Sequence, residues 1–256
     1  MRLILTIALI FSSIIPYPIQ VIAQTQKPTP KPTPKPTPRK SNTSRPALKL
    51  PKGSPRMGTV AGRRQGMGSR DNCPAVATEL TALVPSSPNN DVGGLTTSER
   101  PMFLFYVPYT SDLPNVNAQF TLKDNADNEI YTNPVALPTK PGVVAVSLPA
   151  NVTLQENQTY HWYFKVSCSQ EQAANVPIYV EGGIERIKLN PSISQQLEAA
   201  TPQQKAVIYA DNGIWFDSIN TLVQLRRSNP NDISVKADWQ SLLLSVGLEI
   251  EPTILL

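Results

Sequence analysis

Two apolar periodicities follow each other along the chain. Between Thr78 and Ile187, short apolar runs alternate with turn-forming residues, which is the signature of strands. The runs are Thr78–Val84, Met102–Val107, Ala118–Lys123, Glu129–Tyr131, Val143–Leu148, Tyr160–Cys168 and Tyr179–Ile187. Ala118, Phe120 and Leu122 interleave with Gln119, Thr121 and Lys123, so that strand has one dry and one wet face. Val144, Val146 and Leu148 interleave in the same sense. Met102–Val107 is apolar throughout, which predicts a central strand covered on both sides. Tyr160, Trp162, Phe164, Val166 and Cys168 share one face of their strand, and His161, Tyr163, Lys165 and Ser167 share the other.

After Asn190 the period becomes helical. Asn190-Pro191 caps and starts a helix over Pro191–Ala200, and Thr201-Pro202 does the same for one reaching about Asp211. In Ile214–Arg227 the residues Trp215, Ile219, Leu222 and Val223 form a stripe, with Arg226 and Arg227 at the C-terminal end of the dipole. Asp238–Val246 predicts a last short helix, stopped by Gly247. These stripes need an apolar partner, and the doubly apolar strand offers one. The expected fold is α+β: an immunoglobulin-like antiparallel β-sandwich over 71–190, with a layer of short helices over 191–256 packed on one sheet, in one globular domain, 71–256. Leu154 lies six residues before Tyr160, the spacing of a tyrosine corner, in which the hydroxyl ties its strand to the preceding bend.

The first 70 residues differ in kind. Arg2 precedes an apolar run, Leu3–Ile15, and Ala23 supplies a small residue for cleavage, so 1–23 reads as a signal peptide. A bilayer span wants about 20 apolar residues, and this run is shorter. Membrane attachment is therefore expected only through an uncleaved signal. Lys-Pro-Thr-Pro follows three times from Lys27 to Pro38; proline at every second position favours polyproline II, about 37 Å long. The stretch 24–70 carries twelve basic residues and no acidic one, whereas 71–256 carries ten basic and nineteen acidic. It reads as a disordered basic spacer, free in solvent, docked on an anionic surface or folded back on its own body. Nucleic acid is not an expected partner, because an export signal precedes the basic run. The expected location is the periplasm, the cell surface or the medium.

One His and two Cys among 256 residues leave no room for a four-ligand zinc site, and no phosphate-cradling or calcium loop is visible. No metal, cofactor or catalytic residue is assigned. In an exported chain, Cys73 and Cys168 favour a disulfide closing 95 residues; two free thiols are the alternative. His161 lies on the face opposite Cys168, too far along the strand for a catalytic dyad. Candidate binding residues are Glu99 and Arg100, in the polar stretch Thr96–Pro101, and Glu181 and Glu185 around Gly182-Gly183. On a regular strand Glu181 and Glu185 are about 13 Å apart, too far for paired acid–base work unless a bulge shortens the distance. Arg100 could pair with either. Asp217 reads as a solvated first-turn acid.

The segments Gly68-Ser69-Arg70 before Cys73-Pro74, Leu80–Pro85, Gly94–Pro101 before Phe103, Phe105 and Tyr106, Tyr160–Phe164 before Cys168, Gly213–Asp217, and Asp238-Trp239 with Leu242–Leu248 together resemble a family of exported cyanobacterial proteins, domain of unknown function 928. The resemblance covers about Gly66 to Leu256 and implies fold and export; it implies no chemistry. The functional expectation is a non-catalytic exported module that binds an envelope protein or glycan. Its basic tail then serves as a spacer or as an arm docking on an anionic cell-surface polymer. The competing readings are a periplasmic hydrolase using Glu181 or Glu185 with an Arg100 clamp, and a tether whose tail is the active part.

Overall fold

The computed structural model describes residues 46–51, 60–66, 73–168 and 177–250. The export signal expected at 1–23 and the Lys-Pro-Thr-Pro repeats lie outside the described residues. Eight strands precede four helices: β1 (Thr81–Ala82), β2 (Gly93–Thr96), β3 (Met102–Val107), β4 (Asn117–Lys123), β5 (Glu129–Val135), β6 (Gly142–Ser147), β7 (Gln158–Ser167) and β8 (Ile178–Arg186), then α1 (Pro191–Ala199), α2 (Pro202–Asp211), α3 (Trp215–Ser228) and α4 (Ile233–Leu244). The fold is α+β. One sheet has the order β1-β3-β6 and the other β2-β8-β7-β4-β5.

The two sheets meet through aromatic rings. Phe105 of β3 stacks on Phe164 of β7 at 4.4 Å between centroids, and Phe103 lies 4.9 Å from Phe120 of β4. Trp162 is fully buried, 5.6 Å from Phe105, and its indole N–H donates to the Gly183 carbonyl at 3.1 Å. The period-2 pattern of β7 is realised: Tyr160, Trp162, Phe164 and Val166 are buried, and His161, Tyr163 and Lys165 are half-exposed on the other side. β3 is central in its sheet, as its unbroken apolar run requires. The Tyr160 hydroxyl accepts from the Gln155 N–H at 2.8 Å, the tie that the Leu154–Tyr160 spacing predicts. Cys73 and Cys168 are joined in a disulfide, with Cα atoms 5.0 Å apart.

Three expectations change. First, the larger sheet is mixed rather than antiparallel throughout: β2 runs parallel to β8, pairing Gly93 to Gly183 and Thr96 to Arg186. Gly93-Gly94 lies in none of the predicted strands. In the fold these glycines allow backbones to touch, and a Cβ on Gly93, where φ is 149°, would lie only 2.2 Å from the Gly183 carbonyl oxygen. Second, the helical layer does not sit on one sheet. α3 contacts β2 of the larger sheet and β3 of the smaller, and Phe216 meets Phe103 at 5.5 Å. The Trp215 indole donates to the Leu83 carbonyl beside β1 at 3.0 Å. Third, of the alternatives open to the basic spacer, folding back on the body holds for part of it. Leu48 and Val60 are buried, and residues 60–66 pair with both sheets, through Arg63 to Glu181 of β8 and Gln65 to Thr81 of β1. The Arg64 side chain donates to the Val246 carbonyl at 2.7 Å, just past α4. Two isolated apolar residues in a basic stretch carry no periodicity; free strand edges supply the partners that hold this strap.

Smaller differences have local causes. β5 continues to Val135 through Pro134, which an edge strand tolerates because no outer neighbour needs the missing N–H. α4 begins at Ile233 rather than Asp238, because Asp232 caps it by accepting from the Ser234 and Val235 N–H groups at 2.8 and 3.2 Å.

Candidate functional site: a polar cleft beside Asp217

α3 is two-sided. Its apolar stripe is buried, and the opposite stripe, Asp217, Asn220, Thr221 and Gln224, recurs at helical spacing as polar residues. This polar stripe forms one wall of a cleft of about 330 Å³. Ser98 and Arg100 from the loop after β2 form the facing wall, with Met102 and Ser147, opposed residues of β3 and β6, and Tyr209 of α2 completing it.

Asp217 fastens the loop to the helix. Its Oδ2 accepts from the Thr96 hydroxyl at 2.7 Å and the Thr97 N–H at 3.0 Å, and its Oδ1 accepts from the Thr97 hydroxyl at 2.6 Å. Burial pushes the Asp217 carboxyl above its ordinary pKa, and the bonds from Thr97 and Thr96 act in the opposite direction. Burial, and next the Asp217 charge, raise the pKa of Tyr209, whose hydroxyl is hydrogen-bonded to the Thr97 side chain. With both oxygens committed, Asp217 is an anchor, not a free base. The sequence reading of a solvated acid fails because the helix start faces the Thr96-Thr97 loop instead of water.

Arg186, at the end of β8, holds the other side of the loop. It donates to the Leu154 carbonyl at 2.6 Å and the Thr97 carbonyl at 3.4 Å, and pairs with Glu99 at 3.4 Å. Arg186 falls inside the predicted strand Tyr179–Ile187, which by itself gives it no special part. Its role depends on where two bends far apart in sequence come to rest, and no local pattern encodes that.

The four predicted binding residues do not converge. Arg100 lines the cleft and donates one N–H to the Ala150 carbonyl at 3.2 Å. Glu99 turns to Arg186. Glu181 and Glu185 lie on β8, where the ladder to β7 runs from Ile178 to Arg186 without a register shift, so the bulge that could bring them together is absent. Glu181 is opposite Tyr163, and Glu185 opposite Thr159. The expected pairing of Arg100 with either is replaced by the Ala150 contact. Asn220 carries the other notable feature: its Oδ1 is buried and has no hydrogen-bond partner. The polar stripe at i, i+3, i+4, i+7 was the available signal for Asn220, masked in the sequence by the stronger apolar stripe.

Among the described residues there is no group of three His, Cys, Asp or Glu able to hold a metal ion, and no helix long and apolar enough to cross a membrane.

A family model described as Domain of Unknown Function (DUF928) matches residues 65–253. Two solved structures of Parabacteroides merdae β-glucuronidase are similar to parts of the chain. The one with glycerol in its active site has 12% identity and a TM-score of 0.23, covering 42% of this chain and 13% of that one. The other has 9% identity and a TM-score of 0.24, covering 55% of this chain and 23% of that one. The chain thus spans less than a quarter of either glucuronidase, and likeness at this level carries no argument. A comparison with curated proteins finds no match.

Proposed function

The chain belongs to the Domain of Unknown Function (DUF928) family, and we propose that it is an exported, non-catalytic module whose cleft between the Ser98–Arg100 loop and α3 binds a hydroxyl-bearing envelope glycan. The observation that carries the reading is Asn220, which lines the cleft with Arg100 and whose buried Oδ1 has no hydrogen-bond partner. A buried acceptor left unsatisfied costs about 1–3 kcal/mol, which a turn of the Asn220 side chain to meet a ligand hydroxyl would relieve. Ser98, Ser147, Thr221 and Gln224 add hydroxyl and amide groups suited to a polyol.

Export rests on the signal read at 1–23 and is supported by the Cys73–Cys168 disulfide, which is characteristic of oxidising compartments. The two facing sheets and the Tyr160 tie support an immunoglobulin-like reading of the β part. The Lys-Pro-Thr-Pro tail then spaces this body from a surface or docks on an anionic polymer there.

The test is calorimetric titration of the full mature chain with envelope oligosaccharides. Asn220→Ala and Arg100→Ala should each weaken binding about tenfold, or 1.4 kcal/mol, with an unchanged melting temperature. No saccharide binding by the parent, or undiminished binding by both variants, ends this reading.

A further inference from the structure

The two sheets are joined at one pair of edges and open at the other. The strap makes the join: the Arg63 N–H donates to the Glu181 carbonyl of β8 at 3.0 Å, and the Ala82 N–H of β1 donates to the Arg64 carbonyl at 2.9 Å. The remaining free ends of the sheets include β5 and β6. β5 is guarded as an edge. It carries Glu129, its Pro134 lacks an N–H, and its register with β4 shifts at Leu122 and Lys123. β6 has none of these devices. Gly142-Val143-Val144-Ala145-Val146-Ser147 holds no charge and no proline, and it runs against β3 without a register shift. Among the described residues, nothing but β3 bonds to its backbone. Val144 and Ala145 are half-buried and Ser147 is exposed. A flat, uncharged edge of this kind is a template for another strand.

The register fixes which backbone groups the edge offers. The Leu83 N–H beside β1 donates to the Leu104 carbonyl at 2.9 Å, so Leu104 turns its amide groups toward β1. By alternation, Phe103 and Phe105 turn theirs toward β6, where they are opposite Val146 and Val144. Val143, Ala145 and Ser147 therefore direct their N–H and carbonyl groups outward.

This edge matches itself. An antiparallel copy related by a two-fold axis through Ala145 places Ala145 opposite Ala145, and Val143 opposite Ser147. Each of these pairs exchanges two hydrogen bonds, about six in all. Val144 and Val146 then meet on the core side as a β-branched pair. Moving the axis to Val144 would set Ser147 opposite Pro141, which has no N–H to give. A register shifted by one residue would turn the core side of one copy toward the outer side of the other. No like charges oppose each other, since β6 carries none. A foreign strand, by contrast, finds no charged side chain on β6 to select it.

We propose that β6 pairs with β6 of a second copy of this chain, about a two-fold axis at Ala145, to give one continuous six-stranded sheet, β1-β3-β6-β6-β3-β1.

The test is sedimentation velocity of the full mature chain from micromolar to millimolar protein, at about 0.15 M salt to screen the basic tails. The parent should pass reversibly from monomer to dimer. Ala145→Pro removes only an outward N–H, which an edge strand tolerates, so it should abolish the dimer with an unchanged urea midpoint. Ala145→Lys and Ala145→Glu should each be monomeric, because like charges meet at the axis. Mixed together they should form a heterodimer, through a Lys–Glu pair at that position. Should proline destabilise the monomer, the mixing experiment decides alone. A parent that stays monomeric throughout, a dimer indifferent to these variants, or a mixture that does not associate overturns the proposal. Arg100 and Asn220 are untouched and only the backbone of Ser147 is used, so failure here is distinct from failure of the cleft reading.

Discussion

The two faces of β7 follow one alternation and do opposite work. Inward, Tyr160, Trp162, Phe164 and Val166 are buried against β3 and its neighbours. Outward, His161, Tyr163 and Lys165 stand in a polar field shared with β4 and β8. The inner face holds the two sheets together; the outer face leaves ionic groups available. Stability should therefore be sensitive to the inner side and nearly indifferent to the outer one.

The largest effect should come from the staple on the inner side. Replacing Cys73 and Cys168 together by Ala should cost about 4–5 kcal/mol in the chain-entropy model for so long a loop, read from urea unfolding. Trp162→Ala should cost about 3–5 kcal/mol, as a fully buried indole and its bond to Gly183 are both lost. If either variant unfolds near the parent midpoint, the inner face is not the principal junction.

Asp217→Ala should cost about 2 kcal/mol, since the Thr97 N–H and two hydroxyls lose their acceptor. Asp217→Asn isolates the charge. Burial raises the Asp217 pKa above its ordinary value of 3.8, so the native state holds this proton more tightly than the unfolded chain does. The stabilising contribution is complete below the unfolded value and is lost as pH rises through the folded one. Unfolding midpoints measured from pH 3 upward should therefore show the Asn variant gaining on the parent; a constant difference would refute this.

Arg64→Ala should cost about 1.5 kcal/mol by freeing the strap from the Val246 carbonyl. At the small end, Lys165→Gln on the outer face should change stability by less than about 0.5 kcal/mol. A larger loss would mean that the outer face also carries packing.

Much of the β part could be read directly because β4 and β7 keep two-residue alternation and β3 is apolar throughout. β3 matches its expected limits, Met102 and Val107, and the other long strands differ by a few residues at their ends. Helices α1 and α2 were legible from Asn190-Pro191 and Thr201-Pro202, both of which are N-caps with proline at the first position. β2 was not legible, because Gly93-Gly94 has the composition of a turn and becomes a strand only beside Gly183. In the cleft, the Thr96–Pro101 stretch stood out as polar and Arg100 within it. Asn220 and Arg186 did not, since each acts through residues distant in sequence.

By itself the sequence determined which residues are inside: alternation and helical stripes are local consequences of backbone geometry and the removal of apolar surface from water. It also determined the charge division and the pairing available to two cysteines. Only the tertiary structure decided that residues 60–66 lie along both sheets, that Asp217 binds Thr96 and Thr97, and that Arg63 joins Lys165 on one face. These contacts join segments up to 182 residues apart, as between Arg64 and Val246. Their partners are chosen by which edges and loops the packed core leaves adjacent, and no local periodicity records that choice.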